Sequence, residues 1–413
     1  MKFNNVPTLL LFMVAGLSSA SLYAKEPSRQ ELVDRIDLLE SELKQLRQDV
    51  DNNASKESLQ VISEKIDGIA VSSPSDTLIH MAGYADVGYI DQESSDGSFG
   101  VGSFSPIFHF QYRDLVMLES ELEIEVDDAG ETETNLEYLT IDWFINDYMA
   151  LIAGKFLSPI GQFRQNLHPS WINKLPSAPP GFGHDGAAPV SEVGVQLRGA
   201  FPVANMRTNY ALYVGNGPEL LTAFEDGEYE LDGVEAEGKG TDADGEKVMG
   251  GRFGVIPVAG LELGLSAAMG KATVTAVEDG DSSLLSGEGV RDYDVLGADL
   301  SWSIQAFNFR GEYVETKVGD DIGSGTAASE GATWTTWYAQ TSWRPGQSSW
   351  ELVARYTDFD SPHNSQDQQQ WAVGLNYIVA SNFIAKMAYE FNDGESGSDA
   401  ELDRLLLQLA YGF

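Results

Sequence analysis

The 413-residue chain contains no cysteine. It must hold together without disulfides, which fits an exported protein that needs no such framework. Beyond its first segment it has no uninterrupted apolar run of about 18 residues, which excludes a membrane-spanning helix. Basic residues are scarce, 25 against 64 acidic, for a formal net charge of −39. That balance argues against nucleic acid or an anionic membrane surface as a partner. No Gly-x-Ser-x-Gly elbow and no His-Glu-x-x-His pair occurs, so hydrolase chemistry has no visible anchor. An outer-membrane lipase would need a Ser–His pair on the lipid face, whereas His80 and His109 fall on the inward face. Neither an enzyme, a cofactor nor a bound metal is expected.

What the chain does have is alternation. Leu405, Leu407, Leu409, Tyr411 and Phe413 are apolar at strict period two, and the chain stops on an aromatic. In a transmembrane strand one face meets lipid and the other the lumen, with aromatics at the interface. A terminal Phe also resembles the end signal read by the bacterial outer-membrane assembly machinery.

The first 24 residues read as a signal peptide. Lys2 supplies the positive start, Thr8–Leu17 the apolar core, and cleavage is expected after Ala20 or Ala24. A helical segment follows. Leu32, Ile36, Leu39, Leu43, Leu46 and Val50 are spaced 4, 3, 4, 3 and 4, a heptad seam. Arg35, Ile36, Leu39 and Glu40 match a short pattern known from trimeric coiled coils. A self-associating coiled coil and linker over 25–76 is the first reading, and an amphipathic helix lying on its own barrel the second.

From Thr77 onward sixteen strands are expected, starting near Thr77, Ser103, Leu115, Thr134, Tyr148, Val190, Ala204, Lys247, Gly260, Arg291, Gln305, Ala332, Ser348, Gln368, Asn382 and Leu402. Short turns alternate with long connections at 92–102, 127–133, 158–189, 216–246, 272–290, 318–331, 360–367 and 393–401. Eight long connections interleaved with seven short turns is the pattern of an even-stranded barrel with both ends in the periplasm. The expected fold is therefore all-β: a 16-stranded antiparallel transmembrane barrel over 77–413 with a short N-terminal coiled coil. Sixteen strands leave an aqueous lumen. Its place would be the outer membrane of a Gram-negative bacterium.

The apolar alternation also assigns faces. On the third strand Val116, Leu118, Leu122, Ile124 and Val126 go to lipid, which turns Glu119, Glu121, Glu123 and Glu125 inward. Asp299 and Glu312 join them as acidic lumen candidates. Lys155, Arg198, Arg252, Arg310, Arg355 and Lys386 are the basic ones. Neighbouring basic strands either neutralise the four glutamates or leave them as a cation-attracting wall. Separate acidic and basic columns would set a transverse field across the pore. The net charge itself lives mainly in the loops. Residues 216–246 hold eleven acidic side chains and one Lys, which reads as a solvated loop or as divalent-cation contact near lipopolysaccharide.

The connection 158–189 differs from the others. It is poor in acid and rich in Pro, Gly and aromatics, so it packs rather than floats. Arg164, His168, Trp171, Asn173 and Lys174 are its candidates for a constriction. Packing on the rim or at a subunit interface is the alternative.

Several segments resemble one family. Trp350–Tyr356 (WELVARY) with Thr357–Asp360, Val373–Tyr377 (VGLNY), Tyr213–Pro218 (YVGNGP) and Gly154–Phe156 with Pro159 are similar to the phosphate-selective porins O and P. The resemblance covers about 150–413 and is most specific in the C-terminal half. It implies a sixteen-stranded, homotrimeric porin, a passive channel for small hydrophilic solutes or ions. It does not carry phosphate over. Those porins use eyelet lysines and an arginine ladder, and no run of stacked arginines is visible here. The expectation from another class is a structural outer-membrane anchor or adhesion protein, with a closed barrel and a cell-wall-tethering coiled coil.

Overall fold

The computed structural model describes residues 76–127, 129–183, 186–225, 228–277, 285–323, 328–346 and 348–413. The expected signal peptide and coiled coil (Arg35 to Leu46 included) lie outside the described residues. From Asp76 the chain forms one unit. Its strands are β1 (Thr77–Gln92), β2 (Ser98–Tyr112), β3 (Val116–Val126), β4 (Thr132–Asn146), β5 (Met149–Leu157), β6 (Ser191–Val203), β7 (Met206–Gly215), β8 (Glu219–Glu225) and β9 (Glu228–Glu235). They continue as β10 (Val248–Val258), β11 (Leu261–Val277), β12 (Arg291–Ile304), β13 (Phe307–Val318), β14 (Ala332–Trp343), β15 (Trp350–Asp360), β16 (Gln368–Ala380), β17 (Phe383–Gly394) and β18 (Arg404–Gly412).

Sixteen of these close a barrel. Each strand pairs antiparallel with the next, β7 pairs directly with β10, and β18 returns to β1. The seam is long: Tyr84 faces Gly412 at one end and Gln92 faces Arg404 at the other. The Phe413 N–H then donates to Gly83 O at 2.9 Å, and Gly83 N–H donates to Phe413 O at 3.0 Å. Closure leaves no unpaired edge, the condition for putting a sheet into hydrocarbon. The strands begin near the expected positions, with one clear departure. β2 starts at Ser98, so the first connection is a tight turn over 93–97 rather than a long loop.

The two faces separate as period two requires. On β11, Leu263, Leu265 and Met269 are 39, 69 and 59 % exposed, while Ser266 and Ala268 between them are each 4 % exposed. Aromatic pairs band both ends of the outer wall. Trp350 packs on Tyr377 (4.7 Å between ring centres) at the short-turn end, and Tyr356 on Trp371 (5.0 Å) at the long-loop end. Amphipathic rings favour those interface levels.

The connection 216–246 is not the irregular loop its acidity suggests. Strands β8 and β9 form a hairpin, and β8 pairs in parallel with the end of β11. The hairpin reaches the 361–367 connection on the other side of the barrel. There a His363 Nε2 contact to Leu231 O is 2.7 Å, and Gln366 Nε2–H donates to Asp232 Oδ1 at 3.0 Å. The main apolar core lies inside the barrel. Ile152, Phe156, Tyr213, Trp334 and Tyr338 of the inner wall meet Phe163 and Phe182 of the 158–190 connection and Leu220 and Leu231 of the hairpin.

Candidate functional site: the lumen and its crossing loop

The 158–190 segment is pinned to inward-facing residues of nine strands. Six prolines (159, 169, 176, 179, 180 and 189) fix much of its backbone in advance. That lowers the entropy lost on ordering it. Its neck is closed by Ser158 N–H donating to Val190 O at 2.9 Å. It then donates Gly161 N–H to Ser266 Oγ on β11 at 3.2 Å and Phe163 N–H to Glu312 Oε2 on β13 at 3.0 Å. Thr316 on β13 donates to Ala187 O at 2.6 Å, and Thr336 on β14 to Pro180 O at 2.8 Å. Arg355 on β15 donates to Ser177 O and Ala178 O, each at 3.1 Å. Lys174 reaches Glu351 on β15 at 2.9 Å, and Asn376 on β16 donates to Lys174 O at 2.8 Å. On β17, Ser177 donates to Glu390, and Lys386 to Ser170 O. Trp171 lies against Gly412 on β18, where a Cβ would stand 2.8 Å from its ring. His168 approaches Tyr84 on β1 (6.4 Å between rings) and Glu121 on β3 (3.9 Å).

Gly161 marks how tight the crossing is. Its φ is +72°, and a Cβ there would sit 1.7 Å from Glu312 Oε1. Gly161→Val meets both obstacles and should lift the first turn of the loop off β13. The expected result is a folded barrel that becomes cleavable within 158–190. Protease resistance equal to the parent would contradict the pinning.

The β3 glutamates do not behave alike. Glu119 accepts from Tyr138 at 3.3 Å and sits 3.2 Å from His109 Nε2. Glu121 is 1 % exposed and accepts from Tyr84 at 2.7 Å. Glu123 and Glu125 lie further along the same face, Glu125 opposite Glu133 of β4. A bulge in β4, between the partners of Glu121 and Leu122, brings the extra acid Glu137 to 8 % exposure. Facing this wall from the loop are Arg164, 8 % exposed, and His168.

The basic candidates divide three ways. Arg198 reaches Asp142 at 3.3 Å. Arg252 makes a two-pronged contact with Asp299, Nε to Oδ2 at 2.7 Å and Nη2 to Oδ1 at 2.6 Å. It also donates to Glu262 at 3.0 Å and to Asn209 at 2.9 Å. Arg310 faces inward with no hydrogen bond or ion pair among the described residues. It borders a cavity of about 660 Å3 at the short-turn end, with Lys174, Arg344 and Glu351.

Three expectations need correction. Lys155 does not face the lumen. It pairs with Leu139 and Val193 on the outward face of β5, while Ile152 and Phe156 on the other face are buried inside. The loop covers the inner wall there, so apolar residues point inward and the apolar rule inverts. Arg355 and Lys386 do face inward, but at 1 and 3 % exposure they are sealed beneath the loop they hold rather than lining water. Glu312, 4 % exposed, is sealed in the same way. Asn173 bonds within the loop, to Ser177 O at 2.9 Å. The hydroxyl and amide groups that anchor the loop (Ser266, Thr316, Thr336, Asn376) carry only their inward parity as a signal in the sequence.

At the short-turn end Arg113 Nη2 lies 2.6 Å from Asp76 Oδ2. The bond holds the Asp76 carboxyl below its ordinary 3.8. A depressed carboxylate stabilises the fold above its free pKa, so this contribution is lost only as pH falls below that value.

No protein-family model and no curated protein matches the sequence. Solved structures do match in fold. The chain is similar to an anion-selective porin from Comamonas acidovorans at 14 % identity and a TM-score of 0.56, covering 82 % of this chain and 100 % of that one. A loop-deletion mutant of the Vibrio cholerae outer-membrane protein OmpT matches at 11 % identity and a TM-score of 0.54, covering 82 and 100 %. The outer-membrane channel DcaP of Acinetobacter baumannii matches at 10 % and 0.51, covering 83 and 99 %. At such identities what is shared is the fold, the closed 16-strand barrel of outer-membrane porins.

Proposed function

We propose that the chain is an outer-membrane channel through which small hydrophilic solutes or ions diffuse passively. The observation that carries this reading is the 158–190 loop, fixed across the inside of a closed barrel beside a charged inner wall. A 16-strand barrel is wide enough for an aqueous path. A loop laid across it narrows that path, and fixed charges beside the narrowing sort what passes. Nothing is consumed and no covalent bond changes. Glu119, Glu123 and Glu125 of β3, beside His168 on the loop, form one side of the filter. Arg198, Arg252 and Arg310 form the other.

Phosphate selectivity gains no support from the arginines. Arg198 and Arg252 are each matched by carboxylates, and Arg355 lies under the loop, so no free ladder remains. One observation favours the runner-up, a closed anchoring barrel: the apolar core inside the wall. Swelling of liposomes in sugars of graded size separates the two. Uptake of the smallest sugars with a sharp upper limit supports the channel, and no uptake by folded protein overturns it.

Self-association into a homotrimer belongs to the same proposal, with 25–76 as the helical clamp and lipid and lipopolysaccharide as surroundings. One structure with this fold, Vibrio cholerae OmpT at 12 % identity and a TM-score of 0.50, covering 82 % of this chain and 99 % of that one, is described as a trimer form. Removing 25–76 should leave a folded barrel whose trimers dissociate at lower temperature on unheated gels. A truncated protein with unchanged trimer heat resistance would remove the clamp from the account.

A further inference from the structure

We infer that His80 and His109 form a binding site for a divalent transition-metal ion on the lumen wall. The two residues are direct partners across the β1–β2 pair. Side chains of such partners share one face, with Cβ atoms about 4.5–5.5 Å apart. Here the rings turn toward each other. The two Nδ1 atoms are 3.3 Å apart, and the ring centres 5.4 Å.

That separation is long for an N–H···N bond, whose mode lies near 2.9–3.0 Å. It is the bite that a tetrahedral ion asks of two ligands: nitrogens each about 2.0–2.1 Å from zinc stand roughly 3.3 Å apart. The other nitrogen of His109, Nε2, lies 3.2 Å from Glu119 Oε1. When Nε2 carries the proton and donates it to Glu119, Nδ1 is left as a lone pair facing His80. A carboxylate on the far nitrogen of a ligating imidazole fixes its tautomer and raises its basicity. Tyr138, 3.3 Å from the same Glu119 oxygen, steadies the carboxylate in turn.

Access and charge agree with this assignment. His80 is exposed and the His109 side chain retains 25 % of its surface, so an ion can enter from the water of the lumen. The Glu119 carboxylate on the neighbouring strand, beside His109, adds attraction for a cation. No third protein ligand joins the pair among the described residues, so water completes the coordination. Two imidazoles and water suit copper, nickel or zinc far better than calcium or magnesium. The inference rests on the pair's geometry and not on the channel reading.

Equilibrium dialysis of the folded full chain, without an affinity tag and in detergent, tests it with nickel and zinc ions at pH 7.5. About one ion per chain should bind. His80→Ala and His109→Ala should each weaken binding at least about tenfold, since one of two protein ligands is gone. Glu119→Gln should weaken it by a smaller factor than either ligand variant, since it supports the imidazole without touching the ion. His168→Ala, on the loop, should leave it unchanged. Should either ligand variant misfold, parent protein modified at histidine with and without nickel serves instead, and protection of His80 and His109 is the expected result. Equal binding by parent and a folded His80→Ala/His109→Ala double variant would overturn the site, as would no binding by the parent or no protection.

Discussion

Excising the loop between residues 162 and 186 and bridging the gap with a short Gly-Ser link should raise single-channel conductance by roughly two- to fivefold, because a 16-strand barrel without its crossing loop is open. The barrel itself should survive. The groups stripped of loop partners, among them Glu312, Asn376 and Glu390, would then face water rather than a dry core. Hydrated polar groups cost little, whereas orphaned buried ones cost about 1–3 kcal/mol each. Selection by size should go with the loop, so sugars excluded by the parent should enter liposomes holding the variant. A folded variant with parental conductance would mean that the loop does not lie on the conducting path.

Arg252→Leu should have the largest effect of any single wall substitution. The guanidinium is held by Asp299, Glu262 and Asn209 together, and Asp299 alone takes two parallel bonds. Its removal leaves two carboxylates facing each other with no cation. Breaking a buried pair by deleting one partner costs about 3–5 kcal/mol where water is excluded. The Glu262 side chain keeps 25 % of its surface, so water softens the loss, and about 2–3 kcal/mol is expected here. The heat-modifiable shift on gels should move to lower temperature, and preference should shift toward cations. Arg252→Lys should recover the charge preference but only part of the stability, since an ammonium cannot make the planar two-pronged contact. Unchanged melting and selectivity in Arg252→Leu would show that the cluster matters to neither.

The barrel was legible because its signal is repeated. A single alternating segment such as Leu405–Phe413 is weak evidence, but sixteen of them separated by alternating short and long connections admit few other folds. Period two assigned the faces well wherever the inner wall meets water, as on β3 and β10. It failed at Lys155, where the loop turns the inner wall into a packed core and both faces of β5 are apolar. Arg355 and Lys386 lie on the inward face, as the alternation requires. What covers them depends on a contact between residues more than 170 positions apart, Ser177 with Arg355 and Ser170 with Lys386. No local pattern encodes such a contact. The hairpin of β8 and β9 was hidden for another reason: its eleven-acid segment has the composition of a solvated loop. Its few apolar residues, Leu220 and Leu231 among them, are the ones that turn into the barrel.

The lumen charges explain why a net charge of −39 does not settle selectivity. The excess acid lies mainly outside the barrel wall. Within the wall, arginines and carboxylates neutralise one another in pairs, and the acidic column of β3 stands apart from the cations of β6, β10 and β13. In the proposed channel a solute would meet a field across the pore rather than a potential of one sign, which orients dipolar molecules.

The central claim is that the barrel conducts. Single-channel recording of the full chain in a planar bilayer, under a potassium chloride gradient, tests it most directly. The account predicts discrete steps in current, grouped in threes when trimers insert, and a reversal potential that moves toward cations in Arg252→Leu. A folded, inserted protein that passes no current above the bare bilayer would contradict it.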